Sequence, residues 1–129
     1  MKVLKGVVLM GTVATKSLDK PDETREFPKG SAAMVSIGST MIGRARMEPG
    51  WRWSNDLKPI VGTEKCMILH KGYCISGAMI IQTGDGTEMQ IGAGDGYVIE
   101  PGHDAWVVGD EPYVAVDFSD QMADFAKPK

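Results

Sequence analysis

The chain has 129 residues with 43% hydrophobic and 24% charged side chains, an ordinary composition for one globular domain. Its formal net charge is −3 at pH 7, and no basic run or basic helix is present, which argues against nucleic acid and against a membrane surface as partners. No apolar run is long enough to span a bilayer. We therefore predict a single domain over residues 1–129.

The amino-terminal run "MKVLKGVVLMGTVA" has a faint signal-peptide character, but Gly6, Gly11 and Thr12 weaken its apolar centre. We predict a β-strand near residues 3–13 instead. The two cysteines, Cys66 and Cys74, form neither a CxxC pair nor a disulfide framework. This usage predicts reduced thiols and a cytoplasmic location.

The next segments predict mostly short strands. The charged run over residues 18–30 is interpreted as a surface loop, so that residues 1–30 hold a strand and a loop. "SAAMVSI" and "TMIGRARM" follow as strands, and the second alternates, with Ala45 and Met47 opposite Arg44 and Arg46. The Trp-rich run "PGWRWS" comes next, and "SNDLKPI" favours one helical turn.

The second half of the chain continues this pattern. "AMIIQT" and "TEMQI" flank "GDG", which predicts a hairpin, and "GYVI" and "AWVV" flank the turn "EPGHD". "YVAVDF" is a further strand. Ser119 is a good N-cap for a short helix over residues 119–129. Many short strands separated by Gly and Pro turns indicate an all-β sandwich or barrel with its core over about residues 31–118.

The run "EKCMILH" carries the first candidate site. As a strand it would place Glu64, Cys66 and His70 on one face, and all three residue types ligate metals. Each also has an ordinary structural interpretation: a buried thiol, a hydrogen-bonded core histidine, and a carboxylate at a strand end. His103, in "EPGHD", either caps a carbonyl within its turn or completes the same cluster.

The Trp-rich run carries the second candidate site. Alternation places Trp51 and Trp53 on one side, either as a lid on the barrel or as an aromatic wall for a ligand. Tyr73 and Trp106 are further candidates for such a wall, and Arg44 is a candidate partner for a ligand carboxylate. Asp117, within "YVAVDF", is interpreted either as an inward acid or as an exposed carboxylate.

The first of these segments resembles the first motif of the cupin superfamily, G-x5-H-x-H-x3-4-E-x6-G. Glu64 and Cys66 fall at its two histidine positions, His70 falls at its glutamate position, and Gly77 matches its closing glycine. Lys58 stands where the motif opens with glycine. The ligand set is therefore altered relative to the usual cupin motif.

A later segment resembles the second cupin motif, G-x5-P-x-G-x2-H-x3-N. Gly94 and Gly102 match it, Ala105 occupies its histidine position, and His103 lies two residues earlier. The runs "EPGWRWS", "GTEKC" and "PGHDAWVVGDEP" are similar to those of a group of small single-domain bacterial cupins. The resemblance covers about residues 40–118 and implies an antiparallel β-barrel or jelly roll, with pairing into a homodimer.

Three functions follow from these features. The first is a metal-dependent enzyme that acts on a small organic acid or carbonyl compound bound inside the barrel. The second is a non-catalytic cupin that senses a ligand or a metal, and the third is a metal-free structural barrel. Thiolate and imidazole ligands favour zinc over magnesium or calcium, with iron, nickel and copper left open.

Overall fold

The computed structural model describes residues 13–128 and, nearer the amino terminus, two short strands. These two strands pair antiparallel with each other, and the rest of the strand predicted near residues 3–13 lies outside the described residues, apart from Val13, which is not in a strand. The strands in chain order are β1 Val3–Leu4, β2 Val7–Val8, β3 Glu23–Phe27, β4 Gly30–Ile37, β5 Thr40–Met47, β6 His70–Ser76, β7 Ala78–Gln82, β8 Glu88–Gly92, β9 Gly96–Ile99, β10 Asp104–Val108 and β11 Tyr113–Asp117. The short helices are α1 Trp53–Asp56, α2 Lys58–Val61 and a 3₁₀ helix, Asp120–Asp124.

Two antiparallel sheets build the body of the fold. The larger has the order β3-β4-β5-β11-β6-β9, and the smaller has the order β10-β7-β8. Buried side chains from both sheets, including Met47, Met79 and Ile91, belong to one hydrophobic cluster, so the sheets pack against each other through their inner faces. The predicted all-β antiparallel class is confirmed.

Strand alternation sets which side chains reach the core. In β5 the predicted alternation is confirmed, because Ala45 and Met47 are buried while Arg46 is exposed. The hairpin predicted at "GDG" is also confirmed: it joins β7 to β8, and Gly86 has a φ of 88° there. Such a left-handed conformation favours glycine, because other residues carry a Cβ that crowds the backbone.

The surface loop predicted over residues 18–30 is wrong in part. Residues Glu23–Phe27 form β3, which pairs antiparallel with β4. Its alternation was concealed because Arg25, a charged residue, faces inward. The Arg25 Nη1 donates hydrogen bonds to the backbone carbonyls of Met122 and Phe125, at 3.2 and 2.5 Å, which compensates for its burial.

The strand predicted over residues 64–70 is also wrong: the strand begins only at His70, and the residues before it are irregular. Cys66 makes a single antiparallel bridge to His103. The backbone N–H of Leu69 donates to the Gln121 side chain at 2.7 Å instead of to a neighbouring strand. This segment is therefore held by long-range contacts and not by a sheet.

The predicted short carboxy-terminal helix is confirmed as one 3₁₀ turn, and its predicted N-cap is correct, since the Ser119 hydroxyl accepts from the Gln121 N–H at 3.2 Å. Within the described residues, no helix combines the length and the apolar character needed to cross a membrane. The single-domain boundaries, the homodimer and the cytoplasmic location stay predictions.

Candidate metal centre

Three potential metal ligands meet between the two sheets. Cys66 lies in the irregular segment before β6, His70 is the first residue of β6, and His103 lies in the turn between β9 and β10. One ligand atom from each can be chosen so that all three lie within 4.8 Å of one another. The Cys66 Sγ is 3.7 Å from the His70 Nε2. Cys66 and His103 are buried and His70 is mostly buried.

Backbone hydrogen bonds fix the separation of two of these residues. The Cys66 N–H donates to the His103 carbonyl at 2.8 Å, and the Gly102 N–H donates to the Cys66 carbonyl at 2.7 Å. Gly102 has a φ of 97°, a left-handed conformation that favours glycine, and the backbone turns back there immediately before His103. These bonds hold the irregular segment before β6 against the turn between β9 and β10, and they keep the Cys66 thiol beside the His103 imidazole.

The hydrogen bonds made by the Nδ1 atoms determine the tautomers of both histidines. The His70 Nδ1–H donates to the Asp117 carboxylate at 2.8 Å, and the His103 Nδ1–H donates to the Glu100 carbonyl at 2.8 Å. Both acceptors lack a proton to give, so each neutral ring carries its hydrogen on Nδ1 and its lone pair on Nε2. His103 thus caps a turn carbonyl and belongs to the cluster at the same time.

Asp117 is the inward acid that the sequence allowed. It is buried at the end of β11, and its Oδ1 accepts from the Ser119 N–H at 2.9 Å while its Oδ2 faces His70. A carboxylate that holds the far nitrogen of a histidine orients the ring and raises its basicity as a ligand. Asp117 is therefore a positioning residue for His70.

The ionisation of the cluster favours a thiolate. Burial raises the pKa of Cys66, but the His103 and His70 rings beside the thiol outweigh burial and lower that pKa to about 6. Burial lowers the pKa of His70, but its bonds to Asp117 and Cys66 raise that pKa to about 9. Near neutral pH the metal-free cluster is thus a thiolate beside an imidazolium, and the thiolate is the form that ligates metals.

The residues present fit a transition metal. Bond lengths of about 2.3 Å to sulfur and about 2.0–2.1 Å to nitrogen in a tetrahedron separate the two ligand atoms by about 3.6 Å. The 3.7 Å between the Cys66 Sγ and the His70 Nε2 matches that separation. One thiolate and two imidazole nitrogens suit zinc, iron, nickel or copper better than magnesium or calcium.

An apolar cavity of about 50 Å³ adjoins the cluster. Trp51 and Trp53 are both buried in its wall, although Trp53 begins α1 and the run is not the strand that the alternation assumed. Their roles as a lid or as an aromatic wall for a ligand stay predictions. The Trp51 Nε1–H has no hydrogen-bond partner among the described residues. Other lining residues are Met79, Tyr97, Met122 and Phe125.

The expectation that Glu64 joins the cluster is corrected. Its side chain is 88% exposed and forms an ion pair with Lys58 at 2.8 Å. The strand alternation that was to turn it inward is absent, because the chain is irregular before His70. Among the described residues, the group able to hold a metal consists of Cys66, His70 and His103.

Three predicted ligand-binding residues lie outside the cavity, which is a second correction. Each sits in a strand between two inward-facing residues, so its side chain points to the outer surface. Arg44 forms an ion pair with Asp19 at 3.0 Å, and Tyr73 is half exposed. Trp106 stacks under the Arg52 guanidinium, whose carbon lies 4.3 Å from the ring centroid.

Comparison with known proteins identifies the fold. No protein-family model matches the sequence, and no curated protein is similar to it. The solved structures include an oxalate decarboxylase of Lactobacillus farciminis in a formate complex, with 16% identity over 81% of this chain and a TM-score of 0.59. This chain spans about a third of that protein, 32% of its length.

Two other structures match over most of both chains. A cupin-like protein of Thermotoga maritima has 17% identity, covers 75% of this chain and 73% of its own, and has a TM-score of 0.52. A protein of Klebsiella pneumoniae with a double-stranded β-helix domain has 20% identity, covers 79% and 84%, and has a TM-score of 0.51. The chain therefore has the cupin-type double-stranded β-helix fold that the sequence motifs implied.

Proposed function

We propose that this cupin-fold chain binds a divalent transition metal through the Cys66 thiolate and the Nε2 atoms of His70 and His103. Zinc is the metal that this donor set favours, with iron, nickel and copper as the other candidates. One observation carries the proposal: each Nδ1–H donates to an acceptor, the buried Asp117 carboxylate for His70 and the Glu100 backbone carbonyl for His103, so both Nε2 lone pairs remain for a metal beside the thiol.

The number of ligands supports a site that also takes a small molecule. Three protein ligands leave a fourth tetrahedral position for an exogenous ligand, whereas structural zinc sites use four protein ligands. The apolar cavity beside the cluster gives that ligand room. A metal with an open position polarises a carbonyl or lowers the pKa of a bound water. We infer a metal-dependent enzyme that acts on a small carbonyl or oxygen-bearing compound.

The protein's own residues prepare this chemistry. Asp117 holds the proton of His70 on Nδ1, and Glu100 does the same for His103 through its carbonyl. The Phe125 ring packs edge-on against the His70 ring with centroids 5.6 Å apart, and with Trp51 it limits water at the cluster. The oxalate decarboxylase with the same fold is named for a small-molecule substrate, which is support at the level of the fold alone.

Metal analysis of protein purified without a histidine tag tests the proposal. The parent should carry about one metal per chain, and Cys66→Ser, His70→Ala and His103→Ala should each lose most of it. Cys74→Ser is the matched control, because Cys74 is equally buried but donates to backbone carbonyls away from the cluster. Full metal retention in His70→Ala would defeat the proposal.

The metal-free alternative has one observation in its favour. The 3.7 Å contact between the Cys66 Sγ and the His70 Nε2 is also within hydrogen-bonding range for sulfur, so thiolate and imidazolium form a stable pair without a metal. Under this alternative the parent would contain no metal, and dialysis against zinc would not load it. A non-catalytic sensor would instead bind metal and ligand with no turnover.

A further inference from the structure

The two sheets do not close against each other along one side of the fold. β8 is an edge strand of the smaller sheet, and β9 is an edge strand of the larger sheet. Between them a groove of about 490 Å³ opens at the surface. Four residues line both this groove and the inner cavity: Ile81, Tyr97, Ile99 and His103. The groove therefore leads to a proposed metal ligand.

Met89 shows that the groove lacks a cover. It lies directly opposite Ile81 in the β7–β8 ladder, and directly opposed side chains share one face of a sheet. Ile81 is 6% exposed, as expected of a core residue, but Met89 on the same face is 70% exposed. Among the described residues, nothing packs over this methionine where the sheets part.

We propose that the ligand of this protein lies in the groove between β8 and β9. Its uncharged, apolar part covers Met89, and its metal-coordinating group lies beside His103, at the proposed metal centre. This inference rests on the proposed metal centre for the coordinating group only. The groove falls within the usual size range of small-molecule sites, about 300–1,000 Å³. The inner cavity, at about 50 Å³, has room for only about three to five water-sized groups.

The charges along this path exclude an organic acid as the preferred ligand. Asp95 and Glu100 line the groove, and Asp117 lines the inner cavity. Of the residues described, no lysine or arginine lines either space. Arg44, the side chain expected to receive a carboxylate, is on the outer surface. A carboxylate in the groove would meet like charge without a partner, which is unfavourable.

Three probes with the same metal-binding head test the ligand class. Imidazole, 4-phenylimidazole and imidazole-4-acetate would be titrated at pH 8 into the cobalt(II) form of the full chain, with binding followed in the visible spectrum. We expect 4-phenylimidazole to bind at least about tenfold more tightly than imidazole, because the groove buries its phenyl ring. Imidazole-4-acetate should bind no more tightly than imidazole.

A pair of lysine variants tests the position of the ligand. Met89→Lys should weaken 4-phenylimidazole and strengthen imidazole-4-acetate by about two- to fivefold, because it supplies the missing cation. Ile75→Lys is the control: Ile75 is half exposed in β6 and does not line the groove, so it should change neither affinity. In protein with ¹³C-labelled methionine methyls, 4-phenylimidazole should shift the Met89 signal.

The outcomes separate this inference from the proposed function. A missing cobalt–thiolate spectrum defeats the metal centre, and the Met89 methyl signal then still reports whether the metal-free groove binds 4-phenylimidazole. If the cobalt spectrum is normal but imidazole and 4-phenylimidazole bind with equal affinity, the proposal that the ligand lies in the groove is wrong. Tighter binding of imidazole-4-acetate than of 4-phenylimidazole overturns the uncharged ligand class.

Discussion

Replacement of Asp117 by asparagine is the most discriminating test of the proposed centre. The Asp117 Oδ1 accepts from the Ser119 N–H at 2.9 Å, and its Oδ2 accepts from the His70 Nδ1–H at 2.8 Å. If the asparagine oxygen keeps the Ser119 bond, its NH₂ group faces His70 and can only donate. The His70 Nδ1 must then accept, which moves the ring proton to Nε2, the atom that should ligate the metal.

The expected loss follows from this geometry. Removal of an outer carboxylate from a ligating histidine commonly costs 10- to 100-fold in metal affinity, about 1.4–2.7 kcal/mol. The loss of zinc affinity in Asp117→Asn should lie near about 100-fold, the upper end of this range. The reason is that Asp117 is buried and that the substitution opposes the ligating tautomer of His70 as well as removing a negative charge. Competition with a chromophoric chelator at pH 7.5 would measure the dissociation constant for zinc.

A second buried carboxylate provides the control. Asp104 is as buried as Asp117, accepts from the backbone N–H groups of Ser54 and Ala105, and pairs with Arg52 at 3.4 Å, so that none of these partners is a proposed metal ligand although Asp104 follows His103 in the chain. Asp104→Asn should lower the thermal stability of the fold but leave the zinc affinity unchanged. The reasoning fails if Asp117→Asn binds zinc as tightly as the parent, or if both variants lose affinity equally.

Three further predictions concern ionisation and packing. Zinc binding should release about one proton at pH 7.5 and about two near pH 5 from Cys66 and His70 together, because their pKa values are about 6 and about 9. Calorimetry in buffers of different ionisation enthalpy measures the number of protons released. The zinc affinity should therefore fall as the pH falls. In the metal-free protein, thiolate absorbance at 240 nm should rise with a midpoint near pH 6 in Cys74→Ser but not in Cys66→Ser, since burial raises the pKa of Cys74. Trp51→Ala should cost about 3–5 kcal/mol in denaturant unfolding, whereas Trp51→Phe should cost much less, because the indole N–H has no bond to lose.

The fold was predictable because its signals are local. Alternating runs and Gly-Pro turns mark most strands, and the "GDG" hairpin has the glycine that its turn conformation needs. β3 was missed because its alternation includes a buried arginine, and charge alone suggested a loop. Only the distant carbonyls of Met122 and Phe125 make that burial favourable, and pairing of this kind cannot be read from neighbouring residues.

The site was predicted in its members but not in its geometry. Cys66 and His70 were grouped because strand alternation would place them on one face, yet residues 64–69 form no strand and β6 begins only at His70. They meet because Cys66 pairs with His103 through backbone hydrogen bonds, a contact between distant parts of the sequence. Glu64 was included by the same alternation and has no such contact, so it lies in solvent with Lys58.

The charge of the buried centre connects the metal with the class of ligand. A divalent metal at the proposed centre would be balanced by two negative groups, the Cys66 thiolate and the Asp117 carboxylate, with both histidines binding as neutral rings. The centre is then neutral before any ligand arrives. A bound carboxylate would leave a net negative charge in a mostly apolar site, which costs free energy without a nearby cation. A carbonyl or hydroxyl oxygen adds no charge, so the same residues that would hold the metal favour an uncharged ligand.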